Sequence, residues 1–147
     1  MSKMSELAAS DEFIHKQKEV VDRLDTLVRD CTSFLDLKEN WDSYGGATFS
    51  SEVVNLAVIM LKCLAKSGIH LPDVTPSPRG SIELEWGSDK PRFYLLIEIL
   101  PSERFSIVYR SDSPKPHEPD LLSVLGVLLR LRSSGTCEMD LELSNET

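Results

Sequence analysis

With 147 residues, 41% of them apolar and 27% charged, the chain has the composition of one soluble globular domain, and such a length buries a core without needing a disulfide or a metal. The net charge of −8 excludes general affinity for nucleic-acid phosphates, which requires clustered Lys and Arg. No apolar run approaches the ~18 residues that span a bilayer, and Cys31, Cys63 and Cys137 are an odd, widely spaced set that makes no disulfide framework. A cytoplasmic protein with no membrane segment is expected.

Residues 1–9 read as a flexible leader, after which Ser10 can cap a helix that has Asp11 and Glu12 in its first turn. Phe13, Val20, Leu24, Leu27, Cys31 and Phe34 recur at helical spacing, and Val21, Val28 and Leu35 widen the same stripe, as for a helix covering a core. Glu19–Arg23 and Asp25–Arg29 are acid-before-base pairs one turn apart on the wet face. A loop with the sequence Asn40-Trp41-Asp42-Ser43-Tyr44-Gly45-Gly46 ends this helix. Ser50 or Ser51 caps the second helix, which runs to about Ser67 and stops at Gly68. Its apolar residues cover most of its circumference, so it is expected at the centre of the fold.

Pro72, Pro76 and Pro78 predict an extended connector. Three strands follow. Ile82, Leu84 and Trp86 alternate with Ser81, Glu83 and Glu85; Phe93, Leu95, Ile97 and Ile99 share one face of the next strand; Phe105, Ile107 and Tyr109 share one face of the third. Gly87–Pro91 reads as a hairpin loop and Ser111–Pro119 as a proline-rich loop. Pro119 suits the first turn of a last helix that ends at Ser133-Ser134-Gly135. The remaining tail, 135–147, carries Glu138, Asp140, Glu142 and Glu146 without a basic residue, and is either a solvated terminus or an acidic arm for a basic partner. The expected fold is therefore α+β: a single two-layer domain over 10–134, ordered helix, helix, three-stranded antiparallel meander, helix. The short inter-strand links favour a meander over parallel crossovers.

Two groups of residues stand out as candidate sites. In the loop, Trp41 and Tyr44 beside Gly45 have the chemistry to stack on a ring or clamp a peptide, with Asp42 fixing a polar group. The same residues equally serve a connection in which Trp41 anchors two helices and Asp42 binds backbone N–H groups. On the sheet, Glu83 and Glu85 share a strand face that Glu98 can join, an arrangement open to acid–base work or simply to solvent. Arg79, next to Gly80, is a candidate anion contact. His15, His70 and His117 have no metal-ligand spacing, and no catalytic residue, metal site or cofactor is assigned. Nothing blunts the Phe105–Arg110 strand as a sheet edge, which favours homodimerisation or strand addition by a partner.

The loop Asn40–Gly46 and the later Gly80-Ser81-Ile82-Glu83-Leu84-Glu85-Trp86 together resemble a group of small bacterial and phage-borne proteins. Their pattern is roughly Asn-Trp-Asp-x-Tyr-Gly-Ala, a helix, then Gly-x-Ile-x-Leu-Glu-Trp. The likeness covers about residues 37–110, with Gly46 in place of the usual alanine, a departure expected to change little. That group has no established activity, so the resemblance implies a bacterial or mobile-element origin and no chemistry. It also implies that Trp41, Asp42, Tyr44, Gly45, Gly80, Glu85 and Trp86 form one unit of the fold. The expected function is a non-enzymatic accessory or inhibitor-like factor that binds a protein, one with a basic surface being compatible with its acidity. It is expected to be a homo-oligomer that makes no direct nucleic-acid contact. The alternative is a small-ligand binder or enzyme using the Trp41–Gly46 loop and the strand carboxylates.

Overall fold

The computed structural model describes residues 3–87, 93–111, 121–133 and 141–145. The elements run α1 (Lys3–Ser33), α2 (Ser51–Lys66), β1 (Asp73–Pro76), β2 (Ile82–Trp86), β3 (Phe93–Ile99), β4 (Phe105–Ser111), α3 (Leu121–Ser133) and β5 (Leu141–Asn145), with a 3-10 turn at Phe34–Asp36 after α1. All strands belong to one sheet in the order β1-β2-β3-β4-β5. The first four are antiparallel neighbours, and β5 runs parallel to β4. The fold class is α+β, with helices flanking a strand meander.

Helix α2 starts where Ser50, in extended conformation, accepts a hydrogen bond from the Val53 N–H at 3.2 Å. It ends where Gly68 takes φ +73° and the Ile69 N–H turns back to the Leu64 carbonyl at 3.0 Å. Val53, Val54, Leu56, Ala57, Met60, Leu61 and Leu64 are all buried. α2 is thus the central helix, packed against α1 and α3 and against β2 and β3. Opposite it, the register sets Leu84 beside Ile97 and Ile97 beside Ile107, so period-two alternation delivers one continuous apolar sheet face. Each large side chain buried there contributes about 1.5–3 kcal/mol before the entropy of ordering the chain is counted. Trp86 belongs to this core, and its Nε1–H donates to the His70 carbonyl at 2.6 Å.

Four expectations need correction. Helix α1 already begins at Lys3, so Ser10 lies inside it and does not cap it. Arg23 turns away from Glu19 to bind Asp73 Oδ1 at 3.0 Å and the Pro72 carbonyl at 3.4 Å, because β1 lies within reach. The proline-rich connector contains β1, whose Asp73, Val74, Thr75 and Pro76 pair with Glu85, Leu84, Glu83 and Ile82; Pro76 is tolerated there because β1 is an edge strand. The acidic tail contributes β5, so the sheet becomes a four-stranded antiparallel meander with a fifth, parallel strand, and the edge of β4 is paired by the chain itself. The Gly87–Pro91 loop beyond Gly87, the Ser111–Pro119 loop beyond Ser111, Ser134-Gly135 and Cys137 lie outside the described residues.

Candidate functional site

The Trp41–Gly46 loop is closed by its own side chains. Asp42 Oδ1 accepts from the N–H groups of Tyr44 (2.9 Å) and Gly46 (2.8 Å), and Asn40 Oδ1 accepts from Gly45 N–H at 2.8 Å. The Asn40 N–H donates to the Gly46 carbonyl at 2.7 Å, and Asn40, Ser43 and Gly45 take φ of 65°, 66° and 84°. Half-buried Trp41 donates from Nε1 to the Ala47 carbonyl at 2.9 Å and leans on Phe49, their ring centroids 6.1 Å apart. Tyr44 is the loop's large side chain left outside, 91% exposed. A Cβ at Gly46 would sit 2.7 Å from Asp42 Oδ1 and 2.8 Å from Trp41 Nε1. Glycine at this position is thus fitted to the loop, since any Cβ would require Asp42 or Trp41 to shift.

The loop abuts a turn at Ser77–Ser81. The Ala47 N–H donates to the Pro78 carbonyl at 2.7 Å, and a Cβ on Gly80 (φ +79°) would lie 2.9 Å from the Thr48 carbonyl oxygen. Fully buried Ser81 donates to Glu98 Oε2 at 2.5 Å, and Arg79 Nε lies 3.3 Å from the same oxygen. Glu98 is 7% exposed and stands directly across the ladder from Glu83. Burial raises the Glu83 pKa above the usual carboxylate value, and the charges of Glu98 and Glu85 push the same way; Arg79 acts against them. Glu85 accepts from the Tyr94 hydroxyl at 2.7 Å. Burial, that bond and the carboxylate charges lift the Tyr94 phenol to about 12, while the Arg110 guanidinium lies 5.8 Å from its ring centroid.

The fold therefore brings Arg79, Glu83 and Glu98 together, sets Glu85 with Tyr94 beside them, and attaches this corner to the tryptophan loop through Pro78. The partners of these groups are protein atoms, and among the described residues no three His, Cys, Asp or Glu side chains are grouped to hold a metal. Trp86 stands apart, anchored to His70. A depression of about 490 Å³ lined by Cys63, Lys66, Ser67, Val127 and Arg130 contains none of the candidate residues. His15 pairs with Glu19 at 3.0 Å, and His117 lies outside the described residues. Burial pushes the Cys31 thiol up to about 12, so it remains a neutral core group.

One feature absent from the sequence-based candidates is the N-terminal part of α1. Residues 10–23 are exposed without exception, and only from Leu24 onward does the helix enter the core. Phe13 and Ile14 are each 62% exposed, Val20 44% and Val21 54%. The signal lies in the sequence: Ile14, Val21, Val28 and Leu35 are seven residues apart, the period of a helix packed along another helix. Among the described residues no helix is long and apolar enough to cross a membrane.

No protein-family model, curated protein or solved structure matches the chain.

Proposed function

We propose that this chain is a non-enzymatic, cytoplasmic protein-binding factor, self-associating and acting as an accessory or inhibitor of a further protein. The observation supporting this reading is the apolar row on α1, where Phe13, Ile14, Val20 and Val21 are exposed and, among the described residues, belong to no part of the buried core. An exposed helix of that length is marginal in water unless its apolar face is covered. The candidate site supports the same reading from the opposite side. Asp42, Glu85 and Glu98 already accept hydrogen bonds from the chain, and Trp41 donates to it, which leaves Tyr44 as the loop's outward contact group. The resemblance of the two signatures to bacterial and phage-borne proteins sets the role in a bacterial or mobile-element context.

The test is capture of the tagged chain from host lysate after nuclease treatment, alongside Ile14→Glu/Val21→Glu. A stoichiometric protein retained by the parent chain and lost with the α1 variant is the expected result. Retention by the α1 variant with loss on Tyr44→Ala would contradict it and return the function to the loop.

A further inference from the structure

We propose that the depression between α2 and α3 binds a small phosphate monoester with an apolar body, held by Lys66 and Arg130. This site shares no residue with the exposed stretch of α1, and its ligand is a small molecule rather than the protein partner proposed above.

The depression measures about 490 Å³, within the range of small-molecule sites. Cys63, Lys66 and Ser67 line it from the end of α2, where spacings of three and four residues set them on one face. Val127 and Arg130, three apart on α3, line it from the other side. Arg130 is held in place: its Nε donates to the Gly126 carbonyl at 3.2 Å and its Nη2 to Ser67 Oγ at 3.3 Å, which leaves further N–H groups of the guanidinium for a ligand. The Ser67 hydroxyl, accepting from Arg130, keeps its own proton to donate.

The rest of the structure makes no use of the two cations. The chain carries −8, yet among the described residues no acidic side chain lines the depression, and neither Lys66 nor Arg130 is ion-paired. Basic residues near a helix C-terminus commonly serve its last carbonyls. Here the carbonyls of Cys63, Leu64 and Ala65 already accept from the N–H groups of Ser67, Ile69 and Gly68 at 3.0, 3.0 and 3.1 Å. The partial charge of that helix end, roughly −0.5, falls well short of cancelling two full positive charges. An anion is therefore the complementary occupant. A phosphate monoester, at about −1.5 to −2 near neutral pH, matches both cations, whereas a carboxylate matches one. Buried Val127 and the half-buried Cys63 thiol give the ester's organic part an apolar seat.

Isothermal titration of the full chain with phenyl phosphate, inorganic phosphate and benzoate tests this. Phenyl phosphate is expected to bind at least about tenfold tighter than benzoate and about threefold tighter than inorganic phosphate. Raising NaCl from about 0.05 M to about 0.5 M should weaken it at least about fivefold, as for an exposed ionic site. Lys66→Gln and Arg130→Gln should each weaken it about tenfold. Lys62→Gln, which takes a charge off the same helix outside the depression, should leave it unchanged. Unaltered tryptophan fluorescence, from Trp41 and Trp86, shows that the variants are folded. Saturating phenyl phosphate should also slow alkylation of Cys63 by iodoacetamide at least about threefold, read by peptide mass, because the thiol lines the same space. Absence of phenyl phosphate binding at millimolar concentration, equal losses in Lys62→Gln and Arg130→Gln, or an unprotected Cys63 in saturated protein would overturn the site. Benzoate binding as tightly as phenyl phosphate would overturn the assignment to a phosphate.

Discussion

At the scale of single residues, Trp41 and Tyr44 separate scaffold from surface although only two residues intervene. Trp41 is half-buried, hydrogen-bonded to Ala47 and stacked obliquely on Phe49; Tyr44 is 91% exposed. Trp41→Ala is therefore expected to cost about 2–3 kcal/mol, somewhat below the loss of a fully buried aromatic. Tyr44→Ala should stay within about 0.5 kcal/mol, as for an exposed side chain. Urea unfolding of both variants checks the contrast, and equal losses would contradict it. Glu83 gives a pH signature. Its folded pKa is raised, so the folded state disfavours its charged form: the penalty is absent below the ordinary carboxylate value of 4.5 and appears as pH rises through the folded value. Glu83→Gln should thus raise Tm at pH 7, and the gain should vanish as pH falls below that range. A gain of equal size at pH 3 would show that the cause is packing and not charge.

At the scale of elements, the sheet is longer than its sequence advertises, and the reason differs at each edge. β1 is four residues long and ends in Pro76, so proline chemistry conceals an edge strand. β5 alternates Leu and polar residues over only Leu141–Asn145 within an acidic tail, too short a run to stand out from the surrounding charge. β2, β3 and β4 were legible because Ile82-Leu84-Trp86 and its two successors alternate cleanly, and the cross-strand placement of Glu98 beside Glu83 followed from that register. The chain topology also says what β5 does. By pairing with β4 it satisfies backbone groups that would otherwise template another strand. A chain truncated before Leu141 is expected to lose thermal stability and to aggregate at concentrations the full chain tolerates. Light scattering during a thermal ramp checks this, and coincident curves for the two chains would contradict it.

At the scale of the whole molecule, the legible and the illegible parts of α1 have one physical origin. Phe13, Val20, Leu27 and Phe34 form a uniform apolar row, and a row of that kind looks like core throughout its length. Sequence periodicity shows that a face will be covered but not by what. The three-dimensional fold divides the row, giving Leu27 and Phe34 to the chain's own core and leaving Phe13 and Val20 outside it. The candidate loop failed to resolve for a related reason: Asp42 and Gly45 suit a ligand clamp and a self-bonded turn equally, and only the placement of the loop's N–H groups distinguishes them. The molecule that results is a helix-and-sheet body from which α1 extends with its apolar side exposed over residues 10–23.

The most direct test of that arm is amide hydrogen exchange over residues 10–23, followed in dilute and in concentrated protein. An arm held by a partner should exchange fast when dilute and slow when concentrated, while α2 stays protected in both. Equal protection of residues 10–23 at every concentration would mean that the arm needs no partner, and would contradict the account.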